Sequence, residues 1–168
     1  ICDMIRRHDI QVLSSNYALY GDMSRRVMET LSLFAPDMEI YSIDEAFLDV
    51  TESERLFGPA ADIARAIKQA IRDELSLVAS VGIAPNKFVA KIASDLEKPD
   101  GLTLIEPEEV LPFIAILPIR RVPGVGEKTM GRLGELGIHM LGDVQATGED
   151  LLIEWTGKFG RRLLELSK

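Results

Sequence analysis

Two short β-prone runs, Glu39 to Ile43 and Ala46 to Thr51, stand back to back with only Asp44 and Glu45 between them, and this limits the possible folds more than any other feature. Runs so short, rich in Ile, Tyr, Phe, Val and Thr and parted by two polar residues, read as the arms of a tight β-hairpin. Neighbouring side chains of an ideal strand point to opposite faces, so two adjacent carboxylates converge on one ion only at a turn or bulge. The hairpin supplies that turn and places both acids at its tip. For an isolated Asp-Glu pair the bland alternative is a solvated turn. The rest of the chain shifts the balance toward a metal site.

Upstream, Ser14, Ser15 and Asn16 offer helix caps, and Tyr17, Tyr20, Ser24, Val27, Met28, Leu31 and Phe34 recur at helical spacing until Pro36. Downstream of Gly58-Pro59, Ile63, Ile67, Ile71 and Leu75 mark a second amphipathic helix. Val78 to Ala84 is a short apolar strand. Pro85-Asn86 opens a third helix with Phe88, Val89, Ile92 and Ala93 on its apolar side, which stops near Lys98-Pro99-Asp100-Gly101 before a last strand, Leu102 to Ile105. This order predicts an α+β domain with helices on one face of a sheet. From Glu106 on, no strand pattern appears, and short helical patterns are broken by Pro112, Pro118, Pro123, Gly137, Gly142, Gly148 and Gly157. A boundary near residue 106, followed by a small all-helical domain, is the expected division.

The 168 residues, 46% hydrophobic, suffice for a sizeable core. No apolar run approaches the ~20 residues that span a bilayer and no signal peptide opens the sequence, so the expectation is no membrane and a cytoplasmic setting. Cys2 is the only cysteine, which excludes an internal disulfide and a cysteine-based metal cluster. The chain opens on Ile1 and enters at once upon an apolar-containing segment without a helix cap, as a piece of a longer protein would. A net charge of −8 argues against a surface coated with nucleic-acid contacts. The acidity is uneven, however: residues 1–105 hold 17 acids against 11 bases, and residues 106–168 hold 10 against 8. It falls on the part with the acid pair, where bound cations would offset it. Arg120-Arg121 and Arg161-Arg162 are local basic pairs that suit either a nucleic-acid backbone or a solvated helix surface.

Two further stretches carry chemistry. Arg121 to Gly137 reads as a short helix, a Pro-Gly-Val-Gly turn and a second helix, with Lys128 one turn on. In such a helix-hairpin-helix, the amides of the turn (Gly124, Val125, Gly126) and of the following helix's first turn form a cradle for a phosphate oxygen. The competing reading is a tight corner between packed helices, with close packing also accounting for Gly131 and Gly134, each of which costs about 1 kcal/mol against Ala inside a helix. On the third helix, Lys87, Lys91, Asp95 and Lys98 share a face. A solvated charged stripe is the plain reading, yet Lys98 stands at the helix end, where it can reach a polyphosphate as a mobile point charge.

Taken together, Ser42-Ile-Asp-Glu-Ala46, Val81-Gly-Ile83 with Asn86-Lys87 and Ala90-Lys-Ile-Ala93, Lys98-Pro99, and Pro123-Gly-Val-Gly126 resemble the Y-family (translesion) DNA polymerases in both order and spacing, over essentially the whole chain. Ser14 to Tyr20 leans toward the UV-mutagenesis branch and Ile92 to Pro99 toward the polymerase IV branch. The resemblance implies a palm with an antiparallel sheet over residues 1–105 and a thumb with a helix-hairpin-helix over 106–168. It implies that Asp44 and Glu45 are catalytic carboxylates holding two Mg²⁺ ions, that Lys98 contacts the triphosphate of an incoming deoxynucleotide, and that Lys91, Gly124, Val125, Gly126 and Lys128 contact DNA. It further implies primer–template DNA and deoxynucleoside triphosphates as substrates, and a sliding clamp as partner of the parent protein. The family's third metal-binding Asp lies on an upstream strand absent from this sequence; Asp3, Asp9 and Asp49 do not sit in matching context. Polymerisation by these residues alone is therefore expected to be negligible. A non-catalytic DNA-binding helix-hairpin-helix module is the second reading. A nucleotide cyclase on a similar palm ranks last, because the Gly-Gly-acidic-acidic signature of diguanylate cyclases is missing.

Overall fold

The computed structural model describes Ile5, Arg7, His8 and residues 10–167; Cys2, Asp3 and Asp9 lie outside the described residues. Asn16 caps the first helix, α1 (Tyr17–Ser32), its side-chain oxygen accepting from the Leu19 amide at 3.1 Å. The hairpin follows as β1 (Asp37–Ile40) and β2 (Ala46–Asp49), antiparallel, with Met38 opposite Leu48 and Ile40 opposite Ala46. Its arms are shorter than the sequence predicts and its connection is longer. The Tyr41 and Ser42 amides both donate to the Glu45 carbonyl, at 2.9 and 3.0 Å, and this closes a five-residue loop over 41–45 in place of a two-residue turn.

A one-turn helix that periodicity did not reveal, α2 (Glu54–Phe57), sets Phe57 against Phe34 with ring centroids 5.6 Å apart. The long helix α3 (Ala60–Leu75) buries Ile63, Ile67 and Ile71 against Met28 and Leu31 of α1, with Met38, Ala46 and Leu48 of the hairpin packed on the same cluster. Then come β3 (Val81–Ile83), α4 (Lys87–Leu96) and β4 (Leu102–Leu104), with Asn86 capping α4 through the Val89 amide. The second ladder is parallel, Gly82 opposite Thr103, because α4 serves as the crossover that parallel neighbours require. Among the described residues the antiparallel strand ladder is thus confined to β1 and β2, and the strands form two separate two-stranded ladders.

The remainder is helical: short 3-10 turns at Pro107–Glu109 and Ile119–Arg121, then α5 (Val110–Ala115), α6 (Glu127–Glu135), α7 (Leu141–Ala146), α8 (Glu149–Thr156) and α9 (Lys158–Leu166). Leu133, Leu141, Val144, Leu152 and Leu163 are fully buried there. One apolar cluster joins them to Val89, Ile92 and Ala93 of α4 and to Ile105, so α4 is shared between the two regions. Gly131 and Gly134 do not follow the expectation of close packing: a Cβ at either would meet nothing within 4 Å. No helix among the described residues is long and apolar enough to cross a membrane.

The start of α7 carries a pH-sensitive contact. Asp143 accepts from the Met140 and His139 amides at 2.8 and 2.9 Å, and these bonds hold its carboxyl below the ordinary value of 3.8. A group depressed on folding stabilises above its unfolded pKa and loses that contribution as pH falls through its folded pKa. Asp143→Ala, which removes both bonds of this cap, is therefore expected to lower the melting temperature at pH 7 by roughly 3 °C. The gap from the unsubstituted chain should close as melting is repeated toward pH 2.

Candidate functional site

The loop over 41–45 presents the two acids differently. Asp44 is exposed, and its Oδ1 accepts from the Ser42 hydroxyl at 2.7 Å, which orients the carboxylate without neutralising it. Glu45 is half-buried and forms an ion pair with Lys91 of α4. The charged stripe of α4 meets the hairpin through Lys87 and Lys91. Lys87 pairs with Glu39 and lies 5.7 Å from the centre of the Phe47 ring. Lys91 sits 5.9 Å from the Tyr41 ring centre, Asp95 lies 3.9 Å from Lys91, and Lys98 Nζ is 2.6 Å from Asp95 Oδ1.

Lys91, expected from the resemblance to contact DNA, is here paired with the Glu45 carboxylate, its side chain 19% exposed. Lys98 remains 57% exposed. The hydrogen bond that Lys98 donates to Asp95, and beyond it the fields of Asp95, Glu45 and Asp44, raise the Lys98 pKa and keep its ammonium charged. Asp49 ends β2 and turns its carboxylate to the Thr51 amide and hydroxyl, at 3.0 and 2.6 Å, away from any shared site with Asp44.

Among the described residues no group of three or more His, Cys, Asp or Glu is placed to hold a metal. Two hard carboxylates, one exposed and oriented, still fit Mg²⁺, which keeps much of its water and binds through one or two carboxylates together with substrate phosphates. Between the two ladders lies a cleft of about 770 Å³, floored by Val27, Ile63 and Ile67 and lined also by Asp44, Glu45 and Lys98. Residues of β2 and β3 line it too, and among the described residues each of these strands is paired on one side only.

In the helical region, Gly124 turns the chain with φ at +93°, a conformation that favours glycine. A Cβ there would come 3.2 Å from the Phe159 ring, so α9 supports the turn from below. The Val125 amide donates to the Val122 carbonyl at 3.1 Å. Gly126 caps α6 with no side chain over the helix's first amides, and Lys128 in the first turn is exposed. Arg120 and Arg121 are exposed on the 3-10 turn that precedes them. Sequence reasoning missed Glu39, Tyr41 and Phe47 as partners of the lysines, and Lys68, Arg72 and Asp100, which join beside the Lys98 loop. The only local signal for the latter group was the Pro-Asp-Gly turn.

An acidic hairpin loop faced by a basic helix, continued by a helical region with a glycine hairpin, is a palm-and-thumb plan. Residues 2–95 match the model of the impB/mucB/samB family, and residues 107–138 match that of the IMS family HHH motif. The chain belongs to the impB/mucB/samB family, among whose solved relatives are Y-family DNA polymerases. It is 46% identical over 154 residues to DNA polymerase IV of Photorhabdus laumondii, covering 92% of this chain and 44% of that protein. It is 46% identical over 158 residues to DNA polymerase IV of Yersinia enterocolitica, covering 94% of this chain and 45% of that one. The crystal structure of DinB from Sulfolobus solfataricus superposes with a TM-score of 0.89 at 38% identity, covering 98% of this chain and 49% of the other. An insertion ternary complex of Dbh DNA polymerase gives 0.90 at 37% identity, covering 99% and 49%. The chain thus spans less than half the length of the curated relatives it matches.

Proposed function

We propose that residues 1–105 and 106–168 are the palm and thumb of a translesion DNA polymerase that extends a primer on damaged template from deoxynucleoside triphosphates. The observation that carries this reading is the placement of Asp44 and Glu45 on one loop, against Lys91 and within the electrostatic reach of Lys98. Asp44 and Glu45 would hold two divalent ions, Mg²⁺ by the chemistry of the donors. When bound, the metal lowers the pKa of the primer hydroxyl and offsets charge on the leaving pyrophosphate. Ser42 orients Asp44, Lys91 fixes Glu45, and Lys98 meets the triphosphate as a point charge. Gly124, Val125, Gly126, the free amides at the start of α6 and Lys128 grip a phosphate of the DNA backbone. A sliding clamp completes the parent's partners.

The third carboxylate comes, in this reading, from a strand of the parent protein. What supports a strand in that place is the cleft: two unpaired strand edges border an apolar floor beside the acid pair, and such edges invite a further strand. Without it, the 168 residues are expected to extend primers negligibly. Calorimetric titration of Mn²⁺ with a deoxynucleoside triphosphate present, on this chain and on its Asp44→Ala, Glu45→Ala double variant, tests the site. Binding that disappears in the variant is the expected result. Identical heats in the two proteins would remove the acid pair as a metal site and leave the helix-hairpin-helix as the working part.

A further inference from the structure

Lys68 of α3 is an unusual lysine. Its side chain is 15% exposed, and its ammonium donates to four oxygens: the Ala79 carbonyl, the Asp100 carbonyl and the Asp100 Oδ1, each at 2.7 Å, and the Gly101 carbonyl at 3.0 Å. An ammonium has three protons, so this set saturates it. One turn along α3, Arg72 pairs with the other oxygen of the Asp100 carboxylate. Asp100 itself holds a left-handed backbone with φ at +66°. Gly101 has no room to move: a Cβ would lie 2.6 Å from the Glu97 carbonyl, its amide donates to Ser80 Oγ at 3.1 Å, and its carbonyl accepts from Val81 at 3.0 Å. Three chain segments therefore meet at one ammonium, just after Lys98.

We infer that Lys68, acting through Asp100, is a positioning residue that holds the loop bearing Lys98 in register with the acid pair, so that the Lys98 ammonium meets a nucleotide's phosphates at a fixed place. The inference rests on the reading of Lys98 as the triphosphate contact. Core packing alone does not ask for a lysine here, since its neighbours on the buried face, Ile67 and Ile71, are apolar. The lysine instead reaches past them to carbonyls of a surface loop. Placement matters at this point because a charged group held out of position loses part of the contact it makes with substrate. Asp100 contributes a carboxylate that both cations of α3 keep ionised, its pKa lowered first by the Lys68 hydrogen bond and then by Arg72.

The test is single-nucleotide incorporation by the parent polymerase carrying Lys68→Met, Asp100→Asn, Lys68→Arg or Lys98→Ala. Asn tolerates the left-handed backbone while removing the charge, so Asp100→Asn carries the test even if Lys68→Met does not fold. Lys98→Ala is expected to raise KM for the nucleotide by about tenfold or more, as loss of a charged hydrogen bond does. Lys68→Met and Asp100→Asn should each raise KM by roughly fivefold with kcat and primer–template affinity little changed, the pattern of lost ground-state binding. Lys68→Arg should recover most of the loss, and Lys68→Met should add little on top of Lys98→Ala, because the two act as one unit. A lower melting temperature with KM unmoved, or fully additive effects with Lys98→Ala, would make Lys68 a purely structural residue and overturn the inference while the Lys98 reading stands. A KM unmoved in Lys98→Ala would instead remove the reading of Lys98, and the positioning role with it.

Discussion

Asp44→Asn in the parent protein is expected to lower the rate of nucleotide incorporation by about 10³-fold, equivalent to roughly 4 kcal/mol of transition-state stabilisation. Primer–template affinity should change by no more than about twofold, since phosphate contacts made elsewhere dominate it. The substitution suits the purpose because Asp44 is exposed and its carboxylate hydrogen-bonds the Ser42 hydroxyl, so an isosteric amide leaves the loop's hydrogen bonds to Glu45 in place. Glu45→Gln is a harsher change. It removes the charge opposite Lys91, an ammonium only 19% exposed, and should lower the melting temperature as well as the rate. Single-turnover kinetics with fluorescence anisotropy on the same primer–template separates these effects. An Asp44→Asn enzyme within tenfold of wild type would show that the hairpin acids are not the metal site.

The largest effect on folding should come from a methyl group. Gly82 lies in β3 where α4 crosses it, and a Cβ there would overlap the Ala90 carbonyl oxygen and the Ser94 amide nitrogen and come within 2.9 Å of the Ala93 carbonyl carbon. All three are backbone atoms of a helix, which cannot swing aside as a side-chain tip can. Gly82→Ala is expected to cost about 3 kcal/mol, the upper range for overpacking, and to lower the melting temperature by about 10 °C. Gly131→Ala provides the contrast. Nothing lies within 4 Å of a Cβ there, so the same change inside α6 should stabilise by about 1 kcal/mol. Thermal melts of both variants decide the matter, and equal shifts would mean that helix and strand separate more easily than their contact suggests.

These two glycines also show what the sequence could disclose. The main helices were legible because their apolar residues recur with the helical period and because Asn16 and Asn86 stand where caps belong. The acid pair was legible because β-prone runs flank it. Other features depend on partners remote in the chain. The parallel pairing of β3 with β4 needs α4 as a bridge, and three-residue strands carry no mark of direction. Lys91 and Glu45 are 46 residues apart, so periodicity on α4 could show a charged stripe but not what it faces. The Lys68 cluster draws on segments up to 33 residues apart and left only a turn signature at its far end. Gly82 and Gly131 look alike in sequence, and only the crossing of a helix over one of them sets their opposite expected effects.

The helix α4 has two working faces. Toward the hairpin it offers Lys87 and Lys91, and on the other side Val89, Ile92 and Ala93 are embedded in the same apolar cluster as Ile114, Leu133 and Leu163. The helical region therefore grips the shaft that carries the charges. Since packed interiors transmit displacement with little give, any shift of the helical region would be carried along α4 to the cations that stand opposite the acid pair.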